Sequence, residues 1–200
     1  MLSEKGFICI STLDRFDELG RFLKSFKKYN SLPIIVLVAN DIADAHRIKT
    51  NCAFLTPFLY TCLMDTDILV NGDLSEIFLP ALQNRIGIVR EKTFKVLNSG
   101  VIVFPREKMK VLCKSWNEKY EVRLKKGYDG KSGTWEQGIL NDILKKFPVV
   151  ELPSKFNHIL KDYTPEQELE VYDSVKIFHF LHAPDIDRNK YKSYQTFMSL

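Results

Sequence analysis

Apolar and polar positions fall into short blocks along this chain, and the period changes from block to block. Residues 7–11, Phe-Ile-Cys-Ile-Ser, form an apolar run that predicts a strand. Across 14–30 the pattern turns helical, with Phe16, Leu19, Leu23 and Phe26 spaced by three or four residues and Asp14 placed as an N-cap. Residues 33–40 open with Pro33, run through an unbroken apolar stretch and close on Asn40, with Asp41 next, which predicts a strand buried on both faces. A helical piece at 43–50 follows, then a strand that ends at Asp65. Strand, helix, strand, helix, strand predicts an α/β sheet with right-handed crossovers.

The second half is less regular. Runs at 85–91 and 99–105 read as strands joined by a short link, residues 92–98. Residues 106–126 predict a helix with Met109, Leu112, Cys113, Trp116 and Tyr120 on its inner face and basic residues on a solvated outer face. A turn-rich loop at 128–134 precedes a helix from Trp135 to Phe147, and residues 174–182 predict a late strand. With no internal repeat, low-complexity tract or linker, the expectation is one domain spanning residues 1–200.

Composition narrows the picture only modestly. The formal charge of +4 is too small for the basic stripe of a nucleic-acid binder, so no nucleic-acid partner is expected. Cys9, Cys52, Cys62 and Cys113 are scattered without a C-x-x-C spacing, which argues against a zinc site or a disulfide framework and for buried free thiols. The first residues lack the basic and apolar regions of a secretory leader, and no apolar run reaches the ~20 residues of a membrane span. A cytoplasmic location and no transmembrane segment are therefore expected.

The chemistry concentrates at 62–78, Cys-Leu-Met-Asp-Thr-Asp-Ile-Leu-Val-Asn-Gly-Asp-Leu-Ser-Glu-Ile-Phe. Asp65 and Asp67 interrupt a stretch that otherwise reads as buried, and burying an unpaired carboxylate costs several kcal/mol, roughly, unless something compensates. A cation, a hydrogen-bonded turn or a solvent-filled cleft would do so. At a strand end of an α/β sheet, where ligands bind, two acids at i and i+2 can converge on a divalent metal such as Mg²⁺ or Mn²⁺. They can equally cap a strand-to-turn transition.

The surrounding sequence resembles the glycogenin-like (family 8) glycosyltransferases. Lys49, Pro57, Tyr60, Asp65, Asp67, Gly72, Asp73 and Leu74 match that family's D-x-D neighbourhood. Residues 97–104, Leu-Asn-Ser-Gly-Val-Ile-Val-Phe, are similar to its Asn-[Ala/Ser]-Gly-Val strand. Residues 133–144 are similar to its Asp-Gln-x-x-Leu-Asn helix, and 175–185 to its late His-[Phe/Tyr] strand. The resemblance implies a single-domain GT-A fold, a Rossmann-like mixed sheet flanked by helices.

It also implies a metal-dependent transfer of sugar from a nucleotide donor, a UDP-sugar in the first instance, to the hydroxyl of a glycan, glycoprotein or lipid-linked acceptor, with retention of configuration. Asp65, Asp67 and His179 would hold Mn²⁺ or Mg²⁺. Ser11, Thr12, Phe16, Lys49, Asp65 and Thr66 would face the donor nucleotide, with Phe16 stacked on the base. Asn98, Glu136 and Gln137 would serve the reaction face, Glu136 standing where the family commonly has Asp. Each residue also has a plainer use: His179 as a core histidine, Phe16 in its helix stripe, Lys49 as a helix-end charge, Asn98 as a turn residue and Gln137 as a loop cap.

One block departs from the pattern. The family's His-[Phe/Tyr]-x-Gly-x-x-Lys-Pro-Trp is replaced by a segment with His182 at the glycine, Asp185 at the diphosphate-gripping lysine and no tryptophan. Arg188, Lys190 or Lys192 would have to substitute for that lysine, and His182 becomes an extra candidate ligand. Two rival readings stay open on sequence alone: an inverting GT-A transferase and a catalytically silent sugar-nucleotide binder.

Overall fold

A computed structural model of the protein describes residues 3–126, 136–181 and 187–200. Along the chain these form β1 (Lys5–Thr12), α1 (Phe16–Tyr29), β2 (Ile34–Ala39), α2 (Ile42–Thr50), the single turn α3 (Cys52–Leu55), β3 (Tyr60–Met64), β4 (Ile68–Val70), α4 (Leu79–Leu82), β5 (Ile86–Arg90), β6 (Leu97–Pro105), α5 (Arg106–Lys125), α6 (Glu136–Leu144), β7 (Val149–Glu151), β8 (His158–Ile159), α7 (Pro165–Val171), β9 (Ile177–His179) and α8 (Lys192–Met198).

Six strands make a mixed sheet in the order β2-β1-β3-β6-β5-β7. β1 runs parallel to both β2 and β3, as the strand–helix alternation predicts, while β6 is antiparallel to β3 and to β5. Apolar side chains cover both faces. Phe7 and Cys9 of β1 join one cluster with α1, β4 and β9; Ile8 joins another with α5 and α6. The inner face of α5 holds Met109, Leu112, Cys113, Trp116 and Tyr120, the stripe expected from their spacing. All four cysteines are buried free thiols.

Several expectations need correcting. β2 is not buried on both faces: it is the sheet's edge, most of its residues are half-buried and Val38 is exposed. A run of apolar residues reports hydrophobicity, not the number of neighbouring strands. Asp14 does not cap α1; it lies in a 3-10 turn, Leu13–Arg15, and α1 starts at Phe16 without a side-chain cap. Side-chain caps do occur elsewhere: the Asp41 carboxylate accepts the Asp44 N–H at 2.8 Å at the start of α2, and Thr164 and Gln167 form a capping box at the start of α7. The late strand shrinks to Ile177–His179, and β6 begins inside the expected link, at Leu97. The turn-rich loop 128–134, Trp135, His182 and Asp185 lie outside the described residues.

A second, three-stranded sheet was not anticipated. Its order is β4-β9-β8, with β4 antiparallel to β9 and β8 parallel to it. The pairing of β5 with β6 also breaks register: Ile88 opposes Ile102, but the next residue, Val89, opposes Asn98. Residues 99–101 are therefore extra on β6, and the bulge lifts Asn98, Ser99 and Gly100 toward the end of β3. These two irregular features, the small sheet and the bulge, build the site.

Candidate active site

β3 ends at Met64, yet Asp65 N–H still donates to Gly100 O at 2.8 Å, so the first acid stays anchored to the β6 bulge. The chain then turns through Thr66 and Asp67 into β4. Ile68 opposes His179 across the small sheet, and Phe180 N–H donates to Asp67 O at 2.9 Å. That pairing brings the last residue of β9 against both acids. His179 Nε2 is 3.2 Å from Asp67 Oδ1 and 3.9 Å from Asp65 Oδ2, and one potential ligand atom from each of the three residues lies within 4.8 Å of the others.

The electrostatics favour a cation there. Burial alone would push the His179 imidazolium down, but Asp67 and Asp65 outweigh it and the net shift is upward. Glu18 is pushed up, first by burial and then by Asp67; its carboxylate accepts Thr66 Oγ1–H at 3.1 Å and sits 3.6 Å from Arg15. Lys49 loses solvation on burial, yet Asp65 at 2.8 Å and Glu136 at 3.1 Å raise it above the ordinary lysine value. Glu136 is pushed up by burial and, more strongly in sum, down by Lys49 and His46 and by Ser99, leaving it below the usual carboxylate value. Four carboxylates (Glu18, Asp65, Asp67, Glu136) thus gather around Arg15, Lys49 and His179.

His179 Nε2 is buried and outside hydrogen-bonding geometry with any partner. Such an atom needs compensation, and a metal ion is one way to supply it. Two carboxylate oxygens and an imidazole nitrogen form a donor set that suits Mn²⁺, and the residues present therefore fit the metal that the sequence resemblance implies.

Beside this group opens a cleft of about 1360 Å³ at the carboxyl ends of β1 and β3. Ser11 and Thr12 lie on its β1 side, and Ile42, Ala45, His46 and Lys49 present one face of α2 at helical spacing. Opposite stand Glu91, Asn98, Ser99 and Gln137. Here the polar groups are tied to one another. Glu91 Oε1 accepts from Asn98 Nδ2 at 2.7 Å and from Gln137 Nε2 at 3.1 Å, while Lys161 Nζ is 2.8 Å from Oε2 as an ion pair. Gln137 Oε1 accepts the Ser99 N–H at 3.0 Å, and Ser99 Oγ–H donates to Glu136 at 2.8 Å.

Of the residues nominated from sequence, Ser11, Thr12, Lys49, Asp65, Thr66, Asp67, Asn98, Glu136 and Gln137 all line the cleft. His179 lies buried directly against the two aspartates. Phe16 does not join them: it is 50% exposed at the first position of α1 and is not a lining residue. Arg188, Lys190 and Lys192 do not line the cleft either. Arg188 and Lys192 rest on the rings of Tyr194 and Tyr172, and Lys190 is near Asp187. Lysines that do reach the cleft include Lys95, Lys145 and Lys161. Sequence reasoning missed Glu18, Glu91 and Asn157. Glu91 closes the strand predicted at 85–91 with nothing in the sequence to set it apart, and its bonds to Asn98 and Gln137 make it part of the site.

No protein-family model matches the sequence, and no curated protein does. Solved structures do match. The glycosyltransferase GlyE of Streptococcus pneumoniae superposes with a TM-score of 0.72 at 16% identity over 97% of this chain, which spans 61% of the GlyE chain. Galactosyltransferase LgtC, solved with donor and acceptor sugar analogues, gives 0.69 at 14% identity over 97% of this chain and 94% of its own. Mouse xyloside xylosyltransferase 1 gives 0.59 at 14% identity over 93% of this chain and 100% of its own. The fold is the GT-A fold of glycosyltransferases, as the sequence motifs led one to expect. Among the described residues no helix is long and apolar enough to cross a membrane.

Proposed function

We propose that this protein is a metal-dependent glycosyltransferase that moves a sugar from a nucleoside-diphosphate donor, UDP-linked in the first instance, to the hydroxyl of a glycan, glycoprotein or lipid-linked acceptor, with retention. The observation that carries the reading is the convergence of Asp65, Asp67 and His179 at the strand ends beside a large polar cleft, within a GT-A fold.

Asp65, Asp67 and His179 would hold Mn²⁺ or Mg²⁺. Bound there, the cation supplies positive charge against the departing diphosphate. The remaining work belongs to the chain's own groups. Lys49 holds Asp65 in place and shares its charge with Glu136, so neither acid is left uncompensated when the cleft sheds water. Ser11, Thr12 and Thr66 offer hydroxyls on the donor side. Asn98, Glu136 and Gln137 form the facing wall, where hydrogen bonds already in place hold them without reorganisation. Glu91 extends that wall with a carboxylate held by two amides.

The test is an assay for nucleoside diphosphate released from UDP-, GDP-, dTDP- and CDP-sugars, with Mn²⁺ or with EDTA, in the presence of a mixed glycan acceptor set. Release or transfer that needs the metal supports the reading. Metal-independent turnover would contradict it, and metal-dependent binding with no turnover would leave a sugar-nucleotide binder.

A further inference from the structure

Asn157, which opens onto β8, is 1% exposed and bridges the two halves of the site. Its Oδ1 is 2.9 Å from His179 Nδ1, and its Nδ2 donates to Asn98 Oδ1 at 2.9 Å. Asn98 in turn accepts the Gly100 N–H at 2.9 Å and donates through Nδ2 to Glu91 at 2.7 Å.

This chain of bonds has only one consistent direction. A backbone N–H can only donate, so the Asn98 atom facing Gly100 is its oxygen. The opposite end of Asn98 meets a carboxylate ion-paired to Lys161, which can only accept, so that end is its NH₂. The oxygen of Asn98 can only accept from Asn157, so Asn157 presents its NH₂ there and its carbonyl to the histidine. An amide carbonyl can only accept. His179 Nδ1 must therefore carry a proton, and Nε2, the buried atom beside Asp65 and Asp67, is left as the ring's metal-facing nitrogen.

We infer that Asn157 is a positioning residue that holds His179 with its proton on Nδ1 and presents Nε2 to the cation site. The metal half of this inference rests on the function proposed above; the tautomer half stands on the hydrogen bonds alone. Asn157 touches neither cation nor substrate. It acts through the ring, as partners of metal-ligating histidines commonly do.

Two measurements test it separately from the enzymatic reading. In imidazole-¹⁵N-labelled, metal-free protein, with the His179 signal assigned by its loss in His179→Gln, an Nδ1–H correlation is expected throughout the pH range in which the protein is folded. A neutral ring protonated on Nε2 instead would overturn the inference. Calorimetric titration with Mn²⁺ alone forms the second arm. Asn157→Leu, which removes the acceptor, weakens Mn²⁺ binding by roughly tenfold or more. Asn157→Asp, which keeps an acceptor for Nδ1–H but gives up the donor to Asn98, loses clearly less affinity than Asn157→Leu. Equal affinity in Asn157→Leu and wild type would overturn the proposal, as would equal losses in the Leu and Asp variants. Failure of wild type itself to bind Mn²⁺ would instead remove the cation reading, and the proposal's metal half with it, while the nitrogen spectra still decide the tautomer.

Discussion

Gly100 lies against the ring of His179. A Cβ at position 100 would overlap His179 Cε1 and approach Nδ1 to 2.8 Å, with Asn98 Oδ1 only 2.9 Å away. The bulge on β6 thus needs a residue without a side chain where it passes the histidine. Gly100→Ala should destabilise the protein by about 1–3 kcal/mol, the usual cost of overpacking, because neither ring nor amide can retreat without breaking its hydrogen bonds. It should also weaken Mn²⁺ binding by displacing Nε2. Urea denaturation and metal titration of the variant check both; unchanged values would show that the ring has slack.

Lys49 bridges Asp65 and a nearly inaccessible Glu136. Removing its charge as Lys49→Met leaves two uncompensated acids, and losing one partner of a buried pair costs about 3–5 kcal/mol. The double variant Lys49→Met with Glu136→Gln should recover part of that loss, since the buried acid is then neutral. The pH dependence follows from the shifts. Glu136 titrates below its usual 4.5, so its contribution is present above that value and fades as pH falls through the folded-state value. Lys49 titrates above 10.5, so its contribution is present below that value and fades as pH rises beyond it. Denaturation of the single and double variants decides whether the pair is coupled.

His158 gives a separate acid sensitivity. It is buried, stacked on Tyr163 at 3.7 Å between ring centres, and burial reinforced by Lys92 holds its pKa down to about 4 from 6.5. The folded state keeps it neutral while the unfolded chain protonates it near 6.5. Stability is therefore full above 6.5 and falls as pH drops toward 4, by about 2 kcal/mol between pH 7 and pH 5. Chemical denaturation at both pH values should show that difference reduced in His158→Gln. His179, with a raised pKa, acts in the opposite sense and is present in both proteins, so the comparison isolates His158.

These residues also show what was legible beforehand. Asp65 and Asp67 stood out because two acids in an apolar run demand an explanation, and the α5 stripe stood out because a long helix repeats its period many times. His179 and Gln137 were reached only through family resemblance, since a single polar residue in an apolar segment has no spacing to read. Asn157, Glu91 and Glu18 were not reached at all. The placement of Asn157 and Glu91 depends on a three-residue register break in β6 and on strands of two and three residues, β8 and β9, which are too short to show a period. Glu18 is one acid among the polar residues of α1 and is singled out only by its contact with Thr66. Phe16 was placed at the donor base by resemblance and inward by its apolar stripe; α1 begins there and leaves it half exposed, outside the residues that line the cleft.

The proposed role of Asp65 and Asp67 is to bind a donor through a metal. Thermal denaturation of wild type and Asp67→Asn with UDP-, GDP-, dTDP- and CDP-sugars, each with Mn²⁺ and with EDTA, measures this directly. A donor present at a hundredfold its Kd should add roughly 2.7 kcal/mol of stability. The prediction is a raised melting temperature for wild type with one nucleotide, only when Mn²⁺ is present, and no such rise for Asp67→Asn. A shift that persists in EDTA or in Asp67→Asn, or no shift with any donor, would contradict the account.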